Sequence, residues 1–457
     1  MVYKGRKVIY SSVDKVTREN VLDVYSQAMV THNLNKGDIE FLWNYYKGEQ
    51  PILLKMKSVR PEINNKIVVN RANEIVAFKV GYLCGEPIQY VGRRSDEKIS
   101  ENIAMLNEFM FSENKANKDR ELVEWQMICG TAYRICLPDR GDVVDSPVNI
   151  YTLDPRTTFV VYSGEVDHHI LMSCTLVYDE FGAYKATIYT DDRVFVVDDG
   201  KIVSDEPHLL HYNPIVEYPA NNARQGAFEI VIPLLDAINE VESNRLDGVE
   251  QFVQSFLKFI NCDVSEEDVQ ALQQLGAIKI KSVDGLNADV DLISQELNQS
   301  QTQTLTDNLY DAVLTICGIP NRNGGLSTSD TGAAVLLRDG WSLAEARAKD
   351  SELMFKASER QFLRVALRIL NRDPRFYLEL KDIDMQFTRR NYENIQSKAQ
   401  VLIQMLNNDK IHPLLAFTHC GMFSDPEAAY QLSKDHYDEL MAEIDKELEE
   451  SGEHTHV

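Results

Sequence analysis

Apolar residues recur at helical spacing through the first fifty positions. Val21-Leu22, Val24-Tyr25 and Met29 predict a helix that Asn35-Lys36-Gly37 ends. Ile39, Leu42, Trp43 and Tyr46 predict a second over 38–47, closed by the turn from Gly48 to Pro51. A third is expected over 64–83, where Val69, Ala72, Val76 and Val80 lie about one turn apart before Cys84-Gly85-Glu86-Pro87 breaks it. From about Gly130 to Glu217 the period drops to two. Short strands are expected at 131–136, 158–162, 170–178, 186–190 and 193–197, with turns at Gly141-Asp142, Ser163-Gly164, Phe181-Gly182 and Asp199-Gly200.

The period then returns to 3.6. Val231, Leu235, Ile238, Val241, Arg245, Val249, Phe256 and Ile260 predict one unbroken helix over 230–260, about 45 Å long. A small αβ patch follows over 262–298: a helix at 265–275 and strands at 277–280 and 290–293. Leu305, Leu309, Val313 and Ile316 then predict a helix that Gly318 and Pro320 stop. Residues 321–332 are polar and glycine-rich, a loop, and a long helix is expected over 333–371 with only Gly340 to weaken it. Residues 376–387 read as strand, and 396–406 and 426–450 as helices around a turn at His412-Pro413. The fold class is α+β, with an antiparallel β block set inside a helical chain.

At 457 residues the chain exceeds the size at which one hydrophobic core keeps growing, so two to four structural units are expected. The formal net charge of −24 excludes a protein that coats nucleic acid by general electrostatic attraction. It leaves open a surface past which DNA slides without adhering. The seven cysteines include no CxxC pair and suit reduced, mostly buried thiols. The start MVYKGRKVIYSS lacks the apolar core of a secretion signal, and no apolar run is long enough for a bilayer span.

Two groups suggest chemistry. Asp167-His168-His169 offers metal-ligand types, but adjacent residues beside a strand point to opposite faces. Asp191-Asp192 and Asp198-Asp199 resemble paired carboxylates for a Mg²⁺-dependent nuclease, yet they occupy turn positions that Asp favours for backbone hydrogen bonding. His208 and His211 form a weaker group in a proline-flanked loop. No phosphate-binding loop GxxxxGK[ST] occurs, so the chain is not an ATP-driven motor. No catalytic residue, metal or cofactor is expected.

Three segments in order carry a resemblance. These are Asn65-Lys-Ile-Val-Val-Asn-Arg through Tyr82-Leu-Cys-Gly-Glu-Pro-Ile88, Ile232-Pro-Leu-Leu-Asp-Ala-Ile-Asn-Glu-Val-Glu-Ser-Asn244, and Gly318-Ile-Pro320 followed by a polar loop and Ser329-Asp-Thr-Gly-Ala-Ala-Val-Leu-Leu337. With the β block before the second and the αβ patch after it, the chain resembles the portal proteins of long-tailed bacteriophages from about Lys36 to Glu450. Asp330-Thr331 before Gly332 departs slightly from the family's usual junction.

The resemblance implies a wing over 1–229, a first stem helix over 230–261, a clip over 262–299 and a second stem helix over 300–319. A channel loop over 320–332, a return to the wing over 333–388 and a helical crown with an acidic tail over 389–457 complete it. It implies a cyclic ring, commonly of twelve subunits, that conducts double-stranded DNA without regard to sequence. The expected partners are the terminase large subunit, a head-completion or adaptor protein, the scaffold and the major capsid protein, with no membrane.

In the loop, Asn321, Asn323, Ser327, Thr328 and Ser329 offer neutral hydrogen bonds to the DNA backbone. Arg322 is the only full positive charge there, and Gly324 and Gly325 let the backbone reshape. On the stem, Glu240, Glu242, Asp247 and Glu250 either line the bore and repel DNA or are solvated or paired between subunits. On the clip, Glu266, Glu267, Gln270, Lys279, Lys281 and Asp284 are expected to meet docking partners. The alternatives are another head or connector protein of the virion and, in a different class, the nuclease.

Overall fold

The computed structural model describes residues 5–58, 60–94, 96–139, 146–253, 256–260, 262–263, 281–282, 289–293, 299–321, 340–389, 395–423 and 426–451. Helix and sheet are mixed, as an α+β reading requires. The chain forms two compact units. The first comprises Met1–Lys47, Arg71–Ile230 and Leu314–Val457, and the second Gly48–Asn70 and Val231–Val313.

In the first unit, helix α1 (Val21–Lys47) packs on a six-stranded sheet. The sheet is built from β1 (Ile9–Ser11), β5 (Thr158–Ser163), β6 (Ile170–Tyr178), β7 (Tyr184–Tyr189), β8 (Arg193–Asp198) and β9 (Lys201–Pro207), in the order β1-β5-β6-β7-β8-β9. All pairs are antiparallel except β1 with β5. Val21, Val24, Tyr25 and Ala28 of α1 meet Phe159, Val161, Met172, Cys174, Ile188, Phe195 and Val197, the inward residues of alternating strands.

A three-stranded sheet, β10-β3-β4 (Ile215–Pro219, Thr131–Pro138, Val148–Leu153), lies between helices α4 (Lys115–Cys129) and α7 (Trp341–Leu370). Residues 131–136 are therefore buried at every position rather than at every second one. Helices α2 (Arg71–Leu83) and α3 (Glu97–Ser112) and the pair β2 (Gln89–Gly92) with β15 (Ile383–Gln386) complete the layer. Helices α8 (Ile395–Leu406), α9 (Pro413–Cys420) and α10 (Pro426–Ser451) follow as a small cluster of their own. Gly130 ends α4 at φ +82°, and a Cβ there would stand 2.1 Å from the Arg224 carbonyl oxygen, so the position requires glycine.

A buried ionic cluster joins these layers. Glu359 of α7 receives the Tyr90 hydroxyl at 2.5 Å, the Tyr218 hydroxyl at 2.5 Å, the Lys115 ammonium at 2.9 Å and Arg134 at 3.2 Å. Asp119 completes it, bonded to Arg134 and, at 2.7 Å, to Lys115. Two cations balance two anions. Burial alone pushes the Glu359 carboxyl up, but Lys115, Arg134 and the two tyrosines outweigh it and hold the group at about 2.

Several expectations are corrected. Helix α1 runs through Asn35-Lys36-Gly37 without a break. The Asn35 side chain clasps Lys7, accepting from its N–H at 2.9 Å and donating to its carbonyl at 2.8 Å, so a residue that looks like a stop is an anchor. Helix α2 begins at Arg71, not at 64. Helices α3 and α4 and strand β2 occupy a stretch to which the pattern assigns nothing. In α4 residues 125–129 are all buried, which erases an amphipathic period.

The helix expected over 230–260 stops at Val253. Phe256–Ile260 forms β11, antiparallel to β14 (Asp289–Ile293), as its aromatic and branched residues favour. Gly340, at φ +83°, precedes α7 rather than lying within it, and 333–339 fall outside the described residues. Only Ile383–Gln386 of the strand expected at 376–387 is extended in a ladder. The helix at 265–275 and the strand at 277–280 lie outside the described residues, whereas the strand at 290–293 is present as β14.

Replacing Glu359 by Ala strips two buried cations of a partner. The expected cost is about 3–5 kcal/mol, read as a fall in the urea midpoint of the intact chain. An unchanged midpoint would mean that water enters the cluster.

Candidate functional site

The second unit is built on helix α5 (Ile232–Val253) and helix α6 (Gln299–Cys317), whose last four residues belong to the first unit. Its other part, residues 48–70, is a strap. It includes a 3-10 turn (Pro51–Leu54), and the described residues from there to Asn70 have no regular structure.

The strap is held to α5 by a ladder of side chains. The Asn65 N–H donates to Asp247 Oδ1 at 2.7 Å, the Ile67 N–H to Ser243 Oγ at 2.9 Å and the Val69 N–H to Asn239 Oδ1 at 2.8 Å. Two residues of extended chain advance about 6.6 Å. Four residues of helix advance about 6.0 Å. The two repeats match, so every second amide of the strap meets the same face of α5 once per turn. These amides are spent on α5, which explains why residues 64–70 do not join α2.

The ends of the ladder are locked. Asn239 also donates to the Gln50 side chain at 2.5 Å, and Gln50 donates to Asn70 at 3.1 Å. At the other end Asp247 takes Lys55 at 3.2 Å, Lys57, and the Asn65 side-chain amide at 2.9 Å. Lys55 further donates to Asn244 at 2.8 Å. Burial favours the neutral carboxyl, but Lys57, the Asn65 amides and Lys55 prevail and hold Asp247 at about 2.

Helix α6 is tied to α5 on a different face. Arg245 donates to Gln303 at 2.7 Å, and Thr306 donates to Glu242 at 3.2 Å. Strap, α5 and α6 thus form one cross-braced element.

The expected stem residues divide. Glu240 is exposed, and Glu242 and Glu250 are partly so. Asp247 is corrected: it is 2 % exposed and neutralised within its own chain, so it is no free carboxylate on a wall. Asn321 is partly buried after Pro320, while Arg322, Asn323, Gly324, Gly325, Ser327, Thr328 and Ser329 lie outside the described residues. So do Glu266, Glu267, Gln270, Lys279 and Asp284. Lys281 stands in β13 (Lys281–Ser282), opposite Asp263 of β12 (Cys262–Asp263).

The sequence reading gives Asn239 and Ser243 no role beyond their place in the Ile232–Asn244 segment, and it does not single out Lys55 or Lys57. The polar spacing Asn239-Ser243-Asp247 on an otherwise amphipathic helix is the signal that marks them.

Of the chemistry candidates, His169, Asp191, Asp192 and His211 border one cavity, whereas the two carboxylate pairs do not come together. Asp192 pairs with Lys15 at 2.9 Å and Asp198 with Lys185 at 3.1 Å, at opposite ends of β8. His168 turns to the Ser163 carbonyl, and His169 pairs with Asp167 at 3.0 Å. Glu165, Asp167 and His169 bring their ligand atoms within 4.8 Å of one another, on an exposed turn. No helix among the described residues is long and apolar enough to cross a membrane.

Replacing Asp247 by Ala leaves the two Asn65 donors without an acceptor and Lys55 and Lys57 without their counter-ion, at an expected cost of about 2–4 kcal/mol. Hydrogen exchange should show lost protection at residues 65–69 first. The pH dependence follows from the lowered carboxyl. The stabilisation is complete above the ordinary value of 3.8 and is lost as pH falls through about 2. Urea midpoints measured between about pH 4 and pH 2 should therefore drop more steeply for the wild type than for Asp247→Asn.

The profile of phage portal proteins of the SPP1 Gp6-like type matches residues 30–454. No curated protein matches the chain. The profile covers nearly the whole chain, the two units and the braced helix pair included, and the family is structural rather than enzymatic. The chain belongs to the phage portal protein family, and its place is in the virion.

Proposed function

We propose that the chain is one subunit of a cyclic ring at a single capsid vertex, through which double-stranded DNA enters during packaging and leaves at ejection. The observation that carries this reading is the cross-braced pair α5 and α6 in a chain of the portal family. Copies of such a pair, repeated about an axis, close into a tube when the rotation closes. Helix α5 spans about 33 Å, enough to form a wall several base pairs deep.

Glu240 and Glu250 suit the wall of a conduit, whereas Glu242 is engaged by Thr306 and Arg245. Carboxylates facing phosphates repel, so the duplex is not held at any one register. Asn321 to Ser329 supply neutral donors and acceptors with one cation, Arg322, a composition fitted to a sliding collar. Residues 1–229 serve as wing, 262–299 as the clip that docks the terminase large subunit and later a head-completion protein, and 389–457 as crown. The scaffold and the major capsid protein would meet the ring at its outer surface.

Light scattering and negative-stain microscopy of the purified protein test the ring. A particle with a central hole and a mass near about twelve copies of 52.1 kDa is expected. A chain that stays monomeric at high concentration and with scaffold present would refute it. Deleting Asn323–Ser329 should leave ring mass unchanged and reduce packaged or retained DNA; normal packaging by such rings would remove the collar role.

A further inference from the structure

The strap is unusual in what it leaves outside. Leu54 is 82 % exposed and Met56 92 % exposed, side by side with Leu53, which is also exposed. Their backbone is fixed: the Lys55 carbonyl accepts from Asn64 at 3.1 Å, the Leu53 carbonyl accepts from Lys66 at 2.8 Å, and Lys55 and Lys57 are pinned to Asp247. A rigid backbone presenting bare leucine and methionine is a preorganised contact surface, because little ordering entropy remains to be lost on binding.

Charge identifies the occupant. Residues 48–70 carry Lys55, Lys57, Arg60 and Lys66 against Glu49 and Glu62, a net +2 in a chain of net −24. With the buried Asp247 counted beside the strap lysines it neutralises, the strap is left at +1; helix α5 then carries Asp236, Glu240, Glu242 and Glu250 against Arg245, and α6 adds Asp307 and Asp311, a net −5 for the two. Those acidic helices also leave Leu246, Val249 and Leu305 more than a third exposed. One unit therefore bears a basic apolar ridge and an acidic surface with apolar spots. DNA does not fit the ridge, since leucine and methionine gain nothing from phosphate.

We infer that the strap is a subunit connector: Leu54 and Met56 of one copy seat on Leu246, Val249 and Leu305 of the next copy's helices, with the exposed Lys66 of the first on the side of the second copy's carboxylates. The contact joins two different surfaces and is thus head-to-tail, the type that generates rings. The inference rests on the ring proposed above and names the residues that close it.

Two experiments on the full chain test it. In the first, Leu54→Glu with Met56→Glu is compared with the wild type by light scattering and thermal melting. Loss of the ring with a subunit that still melts in one cooperative transition is expected, because both side chains are exposed within the single chain and only the stabilisation from assembly is removed. Rings equal to wild type overturn the connector while the portal reading stands. A wild type that never forms rings, with scaffold present, defeats the portal reading itself.

The second experiment does not depend on how the double variant folds. Met56→Cys chains and Leu305→Cys chains are mixed, allowed to assemble and treated with a short bismaleimide, with wild type as the control for native cysteines. A cross-linked dimer found only in the mixture is expected, and assembled rings without it overturn the inference.

Discussion

A single carboxylate, that of Glu359, stands where five elements meet, fully shielded from water, and the order of the first unit depends on its being charged. It draws Tyr90 from β2, Lys115 from α4, Arg134 from β3 and Tyr218 from β10 onto helix α7. Each of those polar groups would be costly to bury alone. Together they are tolerable only in one arrangement, so the cluster selects a register for α7 as much as it stabilises one. Hydrophobic packing around it, with Phe355 and Phe362 fully buried on the same helix, supplies the driving force; the charges supply the uniqueness.

The second unit uses the same device in a different form. There the polar groups are backbone amides, presented at every second residue of an extended strap and collected at every fourth residue of a helix. A sheet would have satisfied them with carbonyls. Here Asp247, Ser243 and Asn239 do so, and α5 keeps its own hydrogen bonds. The result stiffens one helix along about two turns without adding bulk on its far side.

Much of this is legible in the sequence where one face of an element meets water. The strands at 158–162, 170–178 and 193–197 announce themselves by alternation, and the apolar half of α5 by its 3.6 period. Helix α4 hides because Lys115 and Asp119 are buried beside Trp125 to Cys129, so polar and apolar positions do not sort by exposure. Asp247 misleads for a related reason. A carboxylate on a long helix reads as solvated, and its partners lie 182 residues earlier at Asn65 and 192 earlier at Lys55. Residues 64–70 carry a helical period that is overridden once their amides are captured. The family order of segments survives these local errors because it depends on sequence and not on the conformation of each piece.

The separation of the strap from its helix has a kinetic consequence during synthesis. At roughly 5–20 residues per second, the ribosome needs about ten to forty seconds to deliver Asp247 after Asn65 has been made. For that interval the alternate amides of 65, 67 and 69 have only water to bond, and Leu54 and Met56 stand beside an unclosed chain. Closing so large a loop is entropically slow but grows costlier only logarithmically with its length, so the delay is long and the thermodynamic penalty modest. The strap therefore closes on α5 only after residues 71–230 have been made, yet before the ribosome has delivered Glu359, on which the order of the first unit depends.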